Sequence, residues 1–366
     1  MTRLGPTSKR ALIALTRSLW YLAVGMHVDE TPPSGGAALS GWRLLLSGGV
    51  EAYRALFGLC AVVTILPLWS TDVFPFQDFA GNMSYAAILA ESGYVESLIG
   101  RTYEVGGLLL PNGLLFWTWA VLGKLLGFIT AGQFLMTLYA LALPVSVDRL
   151  LVAAGRDRRF ALLAFPLVYN YPFMMGFAAY ATAIPLALYT LAWAYRLLEA
   201  PSNRRVATVA ALSSLTFFAH AQGYLILGVM AIAFVLFVPR TWREFWLACG
   251  AFGASLVCFV PWFWDEFITP PATTALGGAP LHPAFQDPVE LFARWAEYTI
   301  TRWERPYDGW VFIGMLAVFA VGLIDRRSDE IPGEGRARFG LEAITAALVV
   351  TYLVVPEHTV VQAAIG

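Results

Sequence analysis

The amino-acid sequence predicts an all-α, polytopic membrane protein with about nine to eleven transmembrane helices and with helices lying in the interface in its first outer loop. Composition supports this fold class. Of the 366 residues, 58% are hydrophobic and 13% are charged, and the mean hydropathy is +0.64, whereas soluble domains carry about 25% charged residues. Segment length supports it too, because several continuous apolar runs reach the roughly 17 to 25 residues that cross a bilayer as a helix.

Residues 1–50 are predicted to be a cytoplasmic, amphipathic N-terminal segment, and residues 51–366 to form one transmembrane domain. Basic residues favour the cytoplasmic side of a membrane. Those of the first segment are Lys9, Arg10, Arg17 and Arg43. An outer loop is predicted over 69–110 and a second one over 265–309. In the first loop, the amphipathic stretch 83–99 has the pattern of a helix that lies in the interface.

About ten apolar runs are candidates for crossing the bilayer. They are 52–68, 114–129, 134–152, 160–175, 181–198, 206–218, 223–238, 245–264, 310–324 and 341–355. Arginine clusters that follow several runs, at 156–159, 196–205, 240–243 and 326–338, are predicted to be cytoplasmic. Two full crossings between Asp78 and Arg156 would contradict this arrangement. One segment within 83–129 is therefore predicted not to cross fully, which is tolerable only where protein or water covers its backbone.

The first outer loop carries two candidate functional acids, Asp72 and Asp78. Apolar walls and the membrane boundary lower the local dielectric, which makes a carboxylate a stronger general base. The alternative is that both acids simply face water, as loop acids usually do.

His220 stands between two apolar runs, in Phe218-Ala-His220-Ala-Gln-Gly-Tyr224. An ionisable group near a membrane helix end is a functional candidate, and this one could donate to a phosphate or assist a proton transfer. A histidine that caps a helix end or reaches to the interface fits the same spacing.

Asn170, Pro172 and Gly176 interrupt the run 160–175 and its continuation. Proline removes a backbone donor and glycine permits irregular backbone, so the break could line a cavity. The turn of a helical hairpin is the other interpretation.

In the second outer loop, the stretch 289–302 has the pattern of an amphipathic helix. The arginines in this stretch and just after it either bind a lipid phosphate or pair with neighbouring acids.

Several function classes lack sequence support. No Walker A, H-E-x-x-H, G-x-S-x-G or GxGxxG motif is present, so chemistry that uses a nucleotide is not indicated. The net charge of −1 without a long basic run gives no nucleic-acid footprint. The three cysteines have no partner at metal-ligand spacing, which indicates small core residues. They are Cys60, Cys249 and Cys258.

Four short motifs resemble those of the GT-C superfamily of integral membrane glycosyltransferases, in particular bacterial members. The motifs are Pro75-Phe-Gln-Asp78, Pro111-Asn112, Tyr169-Asn170 with Gly176-Phe177, and Phe218-Ala-His220. Their order and spacing, over roughly residues 52 to 240, carry the resemblance. One position departs from the pattern, since related chains often have a histidine four residues after the loop acid, where this chain has Asn82.

The resemblance implies transfer of a sugar from a polyprenyl-phosphate donor to a glycan, lipid or protein acceptor at the outer face of a bacterial inner membrane. Asp78 would then be the base that deprotonates the acceptor hydroxyl. His220 and Arg101 would hold the donor phosphate. The other candidate substrate-binding residues are Asp72, Asn82, Asn112 and Asn170. Some family members use a divalent metal at the loop acid, but Asp72 and Asp78 alone would be a thin ligand set, so no cofactor is assigned and a divalent metal stays open.

Similar proteins usually continue through further helices beyond the point where this chain stops, so the chain is expected to be a C-terminally truncated member. Two other function classes remain open. A transporter or flippase of lipid-linked sugars predicts inverted repeats and charges near the midplane; the sequence shows no convincing repeat, and Lys124 is the one charge expected deep inside a span. A non-catalytic scaffold predicts that no single polar residue of the outer loops is essential.

Overall fold

A computed structural model describes residues 50–71, 74, 76–92, 97–103, 110–268, 282–284, 314, 340–354 and 358–360. The contacts divide the chain into two units, Met1–Leu56 and Phe57–Gly366. The first unit is described only over residues 50–56. The site discussed below lies entirely in the second unit. The expected helix over 289–302 and most of the expected crossing over 310–324 lie outside the described residues.

The described part of the chain is predominantly helical, as the composition predicted. In order, the helices are α1 (Val50–Ser70), α2 (Phe79–Glu91), α3 (Leu98–Thr102), α4 (Gly113–Leu126), α5 (Phe128–Ala153), two 3-10 turns (Arg158–Ala164 and Pro166–Tyr169), α6 (Tyr171–Met174), α7 (Ala178–Glu199), α8 (Asn203–Ala219), α9 (Ala221–Phe237), α10 (Trp242–Gly253), α11 (Leu256–Phe263), a π turn (Trp264–Ile268) and α12 (Gly340–Val354). Two short strands, β1 (His282–Ala284) and β2 (His358–Val360), pair antiparallel with Pro283 opposite Thr359.

Two described helices, α1 and α5, are long and apolar enough to cross a membrane. A third crossing is added if α10 and α11, which meet at an angle of 51°, are counted as one broken span. Three further apolar helices of the described part, α4, α9 and α12, are shorter. These lengths support membrane association, since a hydrocarbon core about 30 Å thick needs about 20 residues of helix.

The apolar run 160–175 was expected to be one crossing, and this prediction is wrong. The chain there forms two 3-10 turns and the four-residue helix α6. Pro166 and Pro172 each stand at the first or second position of a new turn, where the missing N–H costs nothing but the preceding helix cannot continue. Hydropathy alone does not detect such a break.

Other predicted elements also differ in the structure. The interface helix expected over 83–99 begins earlier, at Phe79, and ends at Glu91. The run 245–264 is bent between α10 and α11, where the Ser255 hydroxyl donates to the carbonyl of Phe252 at 2.7 Å, a contact that bends helices. Lys124 is exposed in the last turn of α4, so it does not lie deep inside a continuous span.

Two buried clusters form the core of the second unit. One joins α7, α8, α9 and α10, and its fully buried members include Leu191, Phe217 and Phe234. The other joins α2, α4, α5 and the turn around α6 and is rich in aromatic rings. In that cluster Phe79 packs on Trp119 with ring centroids 5.1 Å apart. This aromatic cluster positions the beginning of α2.

A buried ion pair lies near the end of α5. The Asp148 side chain is 7% exposed, and both of its oxygens accept from the Arg158 guanidinium, at 3.0 and 3.1 Å. Arg149 adds a contact of 4.0 Å. This bidentate ion pair satisfies the hydrogen-bonding capacity of the Asp148 carboxylate, which is buried away from water.

Candidate functional site

A cavity of about 500 Å³ opens between the beginnings of α2, α4 and α7, the turn around α6 and the junction of α8 with α9. Its lining combines one acid, one histidine, three amides and several aromatic rings. The lining residues are Asp78, Asn82, Asn112, Phe116, Tyr171, Pro172, Gly176, Phe177, Ala178, Ala179, Tyr180, His220 and Gln222. Its size falls in the range of small-molecule sites.

Asp78 immediately precedes α2 and is exposed to the cavity. Its backbone N–H donates to the carbonyl of Met175 at 3.0 Å. Within the described residues, its side chain makes no capping hydrogen bond to the helix that it precedes. Phe76, two residues before Asp78, and Phe79, directly after it, are both buried. The main chain of Asp78 is therefore fixed while its carboxylate faces the cavity.

Asn82 lies one helical turn after Asp78, and its amide nitrogen donates to the carbonyl of Gly176 at 2.6 Å. Gly176 has φ of +88°, a conformation that glycine adopts without strain. Residues of α2 and of the turn after α6 are thus joined directly, although 94 positions separate Asn82 from Gly176 in the sequence.

Asn112 precedes α4 with φ of 71° and lines the cavity. Asparagine is one of the few residues other than glycine that occupies this left-handed region readily. The Pro111-Asn112 motif is therefore a turn that begins α4. Next to it along α4, the ring of Phe116 lines the cavity as well.

His220 caps the beginning of α9, because its Nδ1 accepts from the backbone N–H of Gln222 at 3.2 Å. This confirms the capping interpretation. It also fixes the tautomer, since an Nδ1 that accepts a hydrogen bond leaves the proton of the neutral ring on Nε2. Tyr180 packs edge-to-face on the ring with centroids 5.3 Å apart. Burial lowers the pKa of His220 below its ordinary 6.5, so the ring is neutral at pH 7.

Asn170 forms the turn of the hairpin, as one interpretation of the sequence predicted. Its side-chain oxygen accepts from the N–H of Phe173 at 3.0 Å. Its nitrogen donates to the Tyr139 hydroxyl at 3.1 Å and to the carbonyl of Leu167 at 2.9 Å. The amide is thus occupied inside the hairpin, and Asn170 is not among the residues that line the cavity.

The remaining candidates are not brought to the cavity by the described structure. Arg101 is exposed in the last turn of α3 and is not a lining residue. Asp72 lies outside the described residues, as do the arginines of the second outer loop. Over the described ranges, no three His, Cys, Asp or Glu side chains are grouped closely enough to hold a metal ion.

Several lining residues were not candidates from the sequence. Tyr171, Tyr180 and Gln222 lie next to predicted features of the sequence, the hairpin turn around Asn170 and the helix end at His220, but were not themselves candidates. The position of Gln222, two residues after His220, was a sequence signal from which it could have been predicted as a site residue. The aromatic residues gave none, because an interfacial ring and a ring that lines a binding cavity are the same residue type.

The arrangement can accept a proton at Asp78 and donate a hydrogen bond from Nε2 of His220, beside amides suited to polar ligand groups. A smaller cavity, of about 400 Å³, lies at the junction of α7 with α8 and the beginning of α10 and is not lined by any of the predicted site residues.

No protein-family model matches the chain, no curated protein matches its sequence, and no solved structure matches its fold.

Proposed function

We propose that this chain is a polytopic membrane glycosyltransferase of the bacterial inner membrane. It transfers a sugar from a polyprenyl-phosphate donor to an acceptor hydroxyl on the extracytoplasmic side. One observation carries the proposal: the four motifs, spread from Asp78 to His220, each contribute a residue to the lining of a single cavity. Sequence order alone gives no reason for segments so far apart to meet.

The chemistry assigns one role to each ionisable group of the cavity. The Asp78 carboxylate removes the proton of the acceptor hydroxyl as its oxygen attacks the anomeric carbon of the sugar. The bond from that carbon to the phosphate oxygen breaks, and polyprenyl phosphate leaves with the electron pair. Nε2–H of His220 donates to a phosphate oxygen and stabilises the charge that develops there.

The membrane context fits such a donor. Helices α1 and α5 are apolar and long enough to cross a bilayer, so an isoprenoid tail and the protein share the same apolar solvent. The phosphate then lies at the interface, which requires a polar cavity at the end of the helices. The donor carries its own activation, which agrees with the lack of a nucleotide motif in the sequence.

The direct test is sugar transfer from a radiolabelled pool of polyprenyl-phosphate sugars in membranes that contain wild type or Asp78→Asn. We expect Asp78→Asn to lower the transfer rate by about 10²- to 10⁴-fold, the contribution of a general base. Glu91→Gln is the matched control because Glu91 lies at the other end of the same helix and does not line the cavity. It should transfer at the wild-type rate.

Equal transfer by wild type and Asp78→Asn would contradict the assigned base. Absence of transfer by wild type under conditions in which it is folded would favour the other classes. Uptake or flipping of a lipid-linked sugar would then indicate a transporter, and a partner-dependent phenotype without either activity would indicate a scaffold.

A further inference from the structure

The beginning of α2 and the turn after α6 contact each other through their main chains. The N–H of Asp78 donates to Met175, and the side chain of Asn82 donates to Gly176, the next carbonyl along. Asn82 is itself tied to Asp78, because its backbone N–H donates to the Asp78 carbonyl at 2.9 Å. The four residues thus form a closed ring of hydrogen bonds around the main chain of Asp78.

The contact is so close that only glycine fits at position 176. A Cβ atom added to Gly176 would lie 2.7 Å from the backbone nitrogen of Asp78 and 2.9 Å from that of Phe79. Both are main-chain atoms, so neither can rotate away as a flexible side chain could. The hairpin therefore lies directly against the first turn of α2, at the residue that bears the carboxylate.

Aromatic packing fixes the same turn from the other side. Phe76 packs against Phe173 with ring centroids 4.8 Å apart, and Phe79 packs against Trp119 at 5.1 Å. The main chain is consequently held before and after Asp78 by buried rings. Across the hairpin, Asn82 adds a polar side-chain contact in addition to these rings.

We propose that Asn82 is a positioning residue: its bond to the Gly176 carbonyl sets the direction in which Asp78 presents its carboxylate to the cavity. This rests on the proposed function for its kinetic consequence, but the geometry itself is independent of activity. Asn82 then acts through Asp78 and does not contact substrate, which differs from the substrate-binding role that the resemblance implied.

Three variants separate the hydrogen bond from the shape of the side chain. Asn82→Leu fills a similar volume without a donor, and Asn82→Asp keeps the shape but places an oxygen against the Gly176 carbonyl. Asn82→His restores a donor, because Nδ1–H of histidine occupies the place of the asparagine nitrogen. Gln133→Leu is the matched control, since the Gln133 amide also donates to a distant main-chain carbonyl, that of Thr71 at 2.7 Å, without lining the cavity.

The first measurement is hydrogen–deuterium exchange of the segment 76–82 in the purified protein, which needs no substrate. Asn82→Leu and Asn82→Asp should speed exchange at the Asp78 amide about tenfold, the effect of losing one hydrogen bond of ordinary strength. Asn82→His and Gln133→Leu should leave it at the wild-type rate. Unchanged exchange in both Asn82→Leu and Asn82→Asp would overturn the proposal.

The second measurement is the kinetics of sugar transfer. Asn82→Leu should lower kcat by about 10²-fold, the effect of a misplacement near 1 Å, while KM changes little and Asn82→His restores kcat. A rise in KM with unchanged kcat would mean that Asn82 binds substrate and would overturn the positioning role. If wild type transfers no sugar, the proposed function fails, and the exchange experiment still decides whether Asn82 holds Asp78.

Discussion

Asp148 and Asp78 belong to the same helical unit, yet the fold treats their carboxylates in opposite ways. Asp148 is buried, and both of its carboxylate oxygens accept from the Arg158 guanidinium. Asp78 is exposed, and its fixed contacts run through the main chain, to Met175 and Asn82. A carboxylate whose oxygens are both engaged holds structure together. One whose backbone is held while its side chain faces a cavity is available for chemistry.

The two aspartates also differ in what surrounds them. Asp148 lies in α5 beside Arg149 and Arg158, where removal of a partner leaves a charge in an apolar place. Asp78 shares its cavity with neutral amides and with His220, which is neutral at pH 7. Changes at the Asp148 ion pair should therefore lower stability, whereas changes at Asp78 should lower activity and leave stability nearly unchanged.

A large effect on stability is expected at the buried pair. Arg158→Met should lower the free energy of unfolding by about 3 kcal/mol, since it leaves the Asp148 carboxylate buried without its main partner. The loss stays at the low end of the usual range because Arg149 remains 4.0 Å away. Denaturant unfolding in detergent micelles measures it. Asp78→Asn should change the same quantity by less than about 0.5 kcal/mol.

Arg159→Met is the control for this prediction. Arg159 pairs with Asp157 in the same segment but is 60% exposed, so its removal should cost less than about 1 kcal/mol. Equal losses for Arg158→Met and Arg159→Met would mean that burial does not distinguish the two pairs. The contrast between Asp148 and Asp78 would then lose its physical basis.

The second prediction concerns Gly176, where a methyl group meets the backbone of Asp78. Gly176→Ala should lower stability by about 1 to 2 kcal/mol through its left-handed conformation, and by a further 1 to 3 kcal/mol, roughly, through overlap with Asp78 and Phe79. Gly155→Ala is the control for the positive φ alone, because Gly155 has φ of +66° with nothing within 4 Å of an added Cβ. Thermal unfolding of both variants measures the difference.

Transfer should fall in Gly176→Ala and not in Gly155→Ala, since only the first displaces Asp78. Similar unfolding temperatures for the two variants would show that the hairpin shifts to make room. In that case the close contact would not be what holds the carboxylate in place.

The positions of the apolar helices were largely predictable from the sequence. The run 52–68 became Val50–Ser70, and 341–355 became Gly340–Val354. Length and hydropathy are local properties, so a window along the chain detects them. The run 160–175 was not predictable in this way, because its two prolines stop a helix without lowering the hydropathy.

The candidate site was predictable in its polar members and not in its geometry. Asp78, Asn112 and His220 stand out as polar groups at the ends of apolar runs, and all three line the cavity. The contact of Gly176 with Asp78 joins distant segments through main-chain atoms, and a sequence carries no local signal for it. The role of Asn170 inside its hairpin depends on Tyr139, which belongs to another helix.

A small effect on stability, combined with a loss of transfer, distinguishes the two roles of His220. Asparagine is a favourable capping residue, so His220→Asn should keep the cap of α9 while removing the donor at Nε2. We expect the free energy of unfolding at pH 7 to change by less than about 1 kcal/mol and transfer to fall by at least tenfold, roughly one charge-assisted hydrogen bond. Full transfer by His220→Asn would reduce His220 to a helix cap.

The pH dependence of stability supplies an independent check on the same residue. Burial holds the pKa of His220 below 6.5, so the folded protein binds this proton less readily than the unfolded chain does. The stabilisation is therefore complete above pH 6.5 and is lost as the pH falls toward the lowered pKa. His220→Asn should abolish this part of the pH dependence. If the free energy of unfolding changes equally with pH in the variant and in wild type between pH 7 and pH 5, burial of His220 is not the source of this pH dependence.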